Sequence, residues 1–76
     1  MERIIKIGKI YRHFKGQLME VLYIAKHSET MEDLVIYKHL DTNDIWARPY
    51  DMFNSLVDKE KYPDIKQEYR FEEVNE

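Results

Sequence analysis

Apolar residues in this chain fall in short runs divided by polar turns, and the period within each run is closer to two than to 3.6. Between positions 17 and 27, Leu18, Leu22 and Ile24 alternate with Met19, Val21, Tyr23 and Ala25. Both faces of an extended segment would then be apolar, which predicts a long central strand buried on both sides, as in a small barrel. Residues 34–40, Leu-Val-Ile-Tyr-Lys-His-Leu, are β-branched and aromatic and predict a second strand. Asp41-Thr42-Asn43-Asp44 turns the chain into Ile45-Trp46-Ala47, a third strand. Pro49 has no N–H for a ladder, so that strand ends there or lies at an edge, and Pro49 pushes Arg48 toward extended geometry. Alternation then places Trp46 and Arg48 on one face, with Ile45 and Ala47 on the other. Residues 50–53 have the spacing of a single helical turn that seats Met52 and Phe53 in the core.

The flanking segments complete this pattern. Residues 4–11 read as a lead-in with a bend at Gly8, and Lys15-Gly16 as a hairpin turn in which Gly16 supplies a positive φ. Residues 27–33 are a polar connection, with Thr30 and Asp33 spaced as in a capping box. Short strands are expected at 55–57 and 69–71, the latter with Tyr69 and Phe71 on one face. Between them, residues 58–68 are charged, contain Pro63, and read as an exposed excursion. Five or six short strands, tight turns and no long helix predict a mostly β fold: a small antiparallel SH3-like barrel with a short helical turn near residues 50–53. The expected organisation is one domain over 1–76, its core in 8–57 and 69–74, with 75–76 as a tail.

Composition narrows the picture. A chain of 76 residues buries only about 60% of its unfolded surface, so its core is thin; six Tyr, three Phe and one Trp supply the packing. The absence of Cys excludes a disulfide framework and a thiolate zinc site, and fits a reducing compartment. No apolar run reaches the about 18 residues of a membrane span, and the N-terminus is too short and too charged for a signal peptide; a cytoplasmic location is the expectation. The net charge of −3 argues against a generic nucleic-acid binder. Its distribution is uneven, with +4 over residues 1–26, −3 over 27–50 and −4 over 51–76. A basic first third can face an anion, although such asymmetry more often reflects solvated faces.

Five stretches then point to a family. They are Tyr11-Arg12-His13-Phe14-Lys15-Gly16, Ile24-Ala25-Lys26-His27-Ser28-Glu29-Thr30, Leu34-Val35-Ile36-Tyr37, Trp46-Ala47-Arg48-Pro49 with Met52-Phe53, and Arg70-Phe71. In this order, across residues 9–71, they resemble the small bacterial family called domain of unknown function 1653. The resemblance implies a small stand-alone β domain, cytoplasmic and prokaryotic, and implies no activity. The excursion at 58–68 is longer than the family's usual pattern.

Candidate chemistry is sparse. With only Gly8 and Gly16 there is no Gly-rich phosphate loop, no G-x-S-x-G elbow occurs, and no Cys is available as nucleophile. Nothing places Glu20 and Glu29 at a working acid/base separation. The chain therefore leans away from catalysis, and no catalytic residue is assigned. His13 and His27 stand at the two ends of the predicted central strand, roughly 30 Å apart if it is straight, and His39 shows no ligand spacing with either; no metal ligand and no cofactor is expected.

A binding module is the leading expectation. A guanidinium beside an indole recognises carboxylates, phosphates or bases, and an imidazole oriented by a carboxylate binds a ligand or moves a proton. The expected ligand-binding residues are His27, Glu29, Tyr37, Trp46 and Arg48, and the ligand is a small anionic or planar molecule or a peptide. Against this stand two structural roles: Arg48 stacked on an aromatic ring, and His27 bonded to its own loop's backbone. A second expectation is single-stranded RNA binding through Lys9, Arg12, Lys15 and Lys26. A third is a homodimer or partner-docking domain, using an edge near Pro49 or the 58–68 excursion.

Overall fold

The computed structural model describes residues 3–74, so the tail expected at 75–76 lies outside the described residues. The elements are β1 (Ile10–His13), β2 (Leu18–Lys26), β3 (Asp33–His39), β4 (Ile45–Pro49), α1 (Tyr50–Phe53) and β5 (Phe71–Glu73). All pairings are antiparallel, in the order β4-β3-β2-β1-β5. The fold is mostly β, with one short helix.

The sheet is open, which corrects the closed SH3-like barrel expected from the strand count. β4 and β5 are its two edges and do not pair with each other. β4 stops at Pro49, which cannot donate to a further ladder, and β5 has three residues, all paired with β1. The gap between the edges is closed by side chains. A flat five-stranded sheet would hold its edges roughly 19 Å apart at about 4.8 Å per strand. Here the Arg48 guanidinium carbon, from one edge, lies 5.4 Å from the centroid of Phe71, from the other. The sheet is therefore strongly curled.

A β-bulge contributes to the curl and explains the apolar pattern of β2. The register to β3 shifts between Val21, opposite Tyr37, and Tyr23, opposite Ile36, leaving Leu22 as the extra residue. A bulge bends its strand and adds right-handed twist. It also resets the alternation. Met19 and Val21 face the core before the bulge and Ile24 after it, while Tyr23 turns out to 68% exposure. β2 is central in the sheet but buried on one face only, a correction to the two-sided burial read from its sequence. Apolar residues fall at both parities because the inward parity changes in mid-strand.

The concave face holds Tyr11, Met19, Val21, Val35, Tyr37, Phe53 and Phe71, joined by Ile5 from the lead-in. Phe53 and Phe71 stack at 4.0 Å and 4°. Tyr11 meets Phe53 edge-on at 5.6 Å, and Tyr37 lies 5.4 Å from Phe53. α1 thus serves to deliver Phe53; Met52, expected beside it in the core, is half exposed. The lead-in crosses this end of the core: the Ile5 amide donates to the Tyr50 hydroxyl and the Lys6 amide to the Tyr11 hydroxyl, both at 2.9 Å. Gly8 then bends at φ 83° and donates its N–H to Val21.

Of the strands expected after Phe53, residues 55–57 and 69–71 meet in an isolated Leu56–Tyr69 bridge, and β5 begins at Phe71. The excursion between them closes on itself. The Asp58 carboxylate accepts from the Glu60 and Lys61 amides, and the Lys59 ammonium donates to the Ile65 and Gln67 carbonyls.

Candidate functional site

Register decides which side chains meet. β4 pairs with β3 so that Trp46 stands opposite Tyr37 and Arg48 opposite Val35. Directly opposed residues share a face, so Trp46 and Arg48 lie on the concave side. His39 is two residues past Tyr37 on β3, and His13 two residues past Tyr11 on β1; both follow the core parity. The curl brings these positions to one rim around Phe71. His13 meets the Phe71 ring edge-on at 5.0 Å, Tyr37 lies 5.9 Å from Phe71, and His39 lies 5.8 Å from Tyr37 and 6.0 Å from Trp46. Phe53 covers one face of Phe71, so Arg48 occupies the other. The rim is half open to water: Trp46 is 53% exposed, while Tyr37, beneath it, is 4% exposed.

The rim is electropositive. Burial lowers the His13 pKa from 6.5 to about 4, helped by the positive charges of Arg48, Lys15 and Arg70 and by His39. The Lys15 amide donates to His13 Nδ1 at 3.1 Å, so the neutral ring carries its proton on Nε2. Among the described residues the ion pairs are Lys6–Glu73 and Lys26–Asp33; neither involves Arg48, Arg70 or Lys15. No protein acceptor bonds Arg48 among the described residues either.

The structure brings Tyr37, Trp46 and Arg48 together but places His27 and Glu29 elsewhere. Their loop follows Lys26, whose partner on β3 is Asp33. Tyr37, opposite Trp46, is four residues farther along β3, roughly 13 Å away. His27 Nδ1 accepts the Glu29 and Thr30 amides at 3.1 and 3.3 Å, so the imidazole organises its own turn. Thr30 accepts the Glu32 amide at 3.3 Å, and Met31 sits at φ 64°. The basic residues of the first third are likewise dispersed. Lys26 pairs with Asp33 at 2.6 Å, at the opposite end of β2 from Lys15, and Arg12 lies on the outer face between Leu18 and Glu72.

Sequence reading missed His13, His39, Arg70 and Phe71 as site residues. The signal was present for the two histidines, since each continues by two residues a strand position that a tyrosine already marks as inward. Phe71 and Arg70 needed the curl, which no local pattern reveals.

Two concavities lie away from Trp46 and Arg48. One of about 270 Å³ is lined by Lys26, Met31, Glu32, Asp33, Tyr50 and Asp51. Its lysine already pairs with Asp33, so it offers an anion no free cation. The other, about 530 Å³, borders Lys15, Leu18 and Leu40 and touches neither Trp46 nor Arg48. The rim is therefore an open face rather than a deep cleft. Among the described residues no group of three or more His, Asp or Glu side chains is placed to hold a metal, and no helix is long and apolar enough to cross a membrane.

The family model that matches this chain, over residues 9–73, is described as "Protein of unknown function (DUF1653)". No curated protein and no solved structure matches it.

Proposed function

The chain belongs to the DUF1653 family of proteins of unknown function, and from that premise we propose that it is a non-catalytic binding module whose concave rim takes a small anionic, planar ligand. The observation that carries this reading is the placement of Trp46 and Arg48. They share one face, over a floor of Tyr37 and Phe71, with the guanidinium carbon 5.4 Å from the Phe71 centroid and no protein acceptor on its N–H groups among the described residues. A guanidinium held over a ring by a cation–π contact keeps its N–H donors available to a ligand, and a half-exposed indole offers an apolar plane to bind against. The reading is non-catalytic because the chain carries no nucleophile motif and His13 is held neutral by burial, with nearby cations helping, rather than oriented by a carboxylate.

An NMR titration of the full chain against a panel of carboxylates, phosphates and nucleosides tests the proposal. The expected result is a concentration-dependent shift of the Trp46 indole N–H and the Arg48 side-chain N–H. If no compound moves either, the reading fails. One observation supports a peptide as a second kind of ligand. β4 is a free edge with Ile45 62% exposed, and an extended segment could add to it as a sixth strand; shifts confined to the β4 backbone amides on peptide addition would indicate that mode.

A further inference from the structure

Resting on that reading, we propose that the ligand is a phosphate monoester carried on a planar aromatic group, of mononucleotide size, with its phosphate at Arg48, Lys15 and His13 and its ring on Trp46. Charge separates a phosphate from a carboxylate. Three permanent cations, Arg48, Lys15 and Arg70, act together on the His13 ring, and none of them is in an ion pair among the described residues. Asp41 borders the same concavity as Lys15 but forms no ion pair with it among the described residues, and other carboxylates are engaged. Glu73 is held by Lys6, Asp33 by Lys26, and Glu72 accepts the Glu68 and Tyr69 amides. One carboxylate would leave two of the three charges uncompensated. A phosphate monoester, with a second pKa near 6, brings close to two negative charges at neutral pH and three acceptor oxygens.

The donors suit that group. Arg48 lies over Phe71 on the face that Phe53 leaves free, so its fork is biased toward the rim before a ligand arrives. His13 has Nδ1 filled by the Lys15 amide, which leaves Nε2–H as a neutral donor beside the cations. The groups facing His13 are Arg48 on β4, His39 on β3, Lys15 in the β1–β2 turn and Arg70 just before β5. A dianion placed among them reverses the local field and favours the imidazolium. The planar part of the ligand is called for by Trp46, whose indole meets the edge of His39 at 6.0 Å and 63° and is half exposed. Base-on-indole stacking tolerates any base, so the site is expected to read the phosphate more strictly than the ring.

The test compares adenosine 5′-monophosphate, adenosine and inorganic phosphate on the isotope-labelled full chain at pH 7 and low salt. The expected result is that the nucleotide binds at least about tenfold more tightly than either part, as joined contacts require. It should move the Trp46 indole and the His13 ring together, and raise the His13 pKa above its value in the free protein. Arg48→Gln should reduce nucleotide affinity to that of adenosine while leaving adenosine binding unchanged, and Lys15→Gln should weaken the nucleotide with the same selectivity. Equal affinity for adenosine and the nucleotide overturns the phosphate assignment while the planar-ligand reading survives. So does full nucleotide affinity in both variants, or nucleotide shifts that map away from Trp46 and His13. If no anionic or planar compound moves Trp46, the underlying reading fails as well.

Discussion

The His13 environment makes folding stability depend on pH in a way that one substitution should remove. Burial first, and the surrounding positive charge second, lower the His13 pKa from 6.5 to about 4. Between those values the unfolded chain binds a proton that the folded chain refuses. Stability is therefore at its full value above pH 6.5, falls as the pH drops through that window, and levels off below about pH 4. For a fully desolvated group the drop would amount to about 3.4 kcal/mol, at ~1.36 kcal/mol per pH unit. His13 is partly open to solvent, and screening reduces the expected loss to about 1–2 kcal/mol. Fifteen carboxylates also begin to titrate near the lower end of this range, so the wild-type slope alone does not isolate the histidine. The decisive quantity is a double difference: urea unfolding followed by Trp46 fluorescence at pH 7.5 and 4.5, in the wild type and in His13→Gln. Glutamine keeps a donor and an acceptor but does not titrate. The variant should lose about 1–2 kcal/mol less than the wild type on acidification. An identical loss in both proteins, or a His13 pKa at or above 6.5 by NMR, would refute the electropositive rim on which the site rests.

Other consequences follow from packing and backbone. Phe71→Ala removes a fully buried ring stacked on Phe53 and should cost about 3–5 kcal/mol. That is a large share of the roughly 4–11 kcal/mol expected for a chain of this size, so urea unfolding should show a strongly lowered midpoint; a cost below about 1 kcal/mol would contradict the curled core. Gly16→Ala meets no neighbour within 4 Å but must adopt φ 101°, and urea unfolding should show a loss of about 1 kcal/mol from backbone strain alone. Arg48→Gln should change stability by less than about 1 kcal/mol, because the contact it loses is a partly exposed cation–π pair; a larger loss would make Arg48 a structural residue. RNA binding through the first third predicts affinity that falls steeply with salt, and fluorescence anisotropy with single-stranded RNA at low salt would show no binding if Lys26 stays with Asp33 and apart from Lys15.

Local chemistry made much of this fold legible. Pro49 marked the end of β4, the turn residues marked the hairpins, Gly16 takes the positive φ its position called for, and the helical turn sits at Tyr50–Phe53. The face shared by Trp46 and Arg48 followed from alternation alone. What escaped reading was set by non-local geometry. The bulge at Leu22 is invisible in a sequence whose parities are both apolar, and it made β2 look buried on two sides. The same bulge feeds the curl that carries Phe71 from the far edge to Arg48, so half of the rim could not be assembled from strand patterns. His27 and Glu29 form a polar pair in the sequence, yet a loop of this shape needs an internal acceptor for its amides, and His27 Nδ1 serves as one.

The lead-in carries a practical message about where this domain starts. The matched family span begins at residue 9, but Ile5 is 4% exposed, and its amide and that of Lys6 bond the hydroxyls of Tyr50 and Tyr11. A fragment cut at the family boundary would strip the lid from Phe53 and leave two tyrosine hydroxyls searching for water. The packed core extends upstream of the matched family span, and excision, tagging or fusion at this end should spare Arg3, which packs on Tyr69 at 3.9 Å and bonds Asn54.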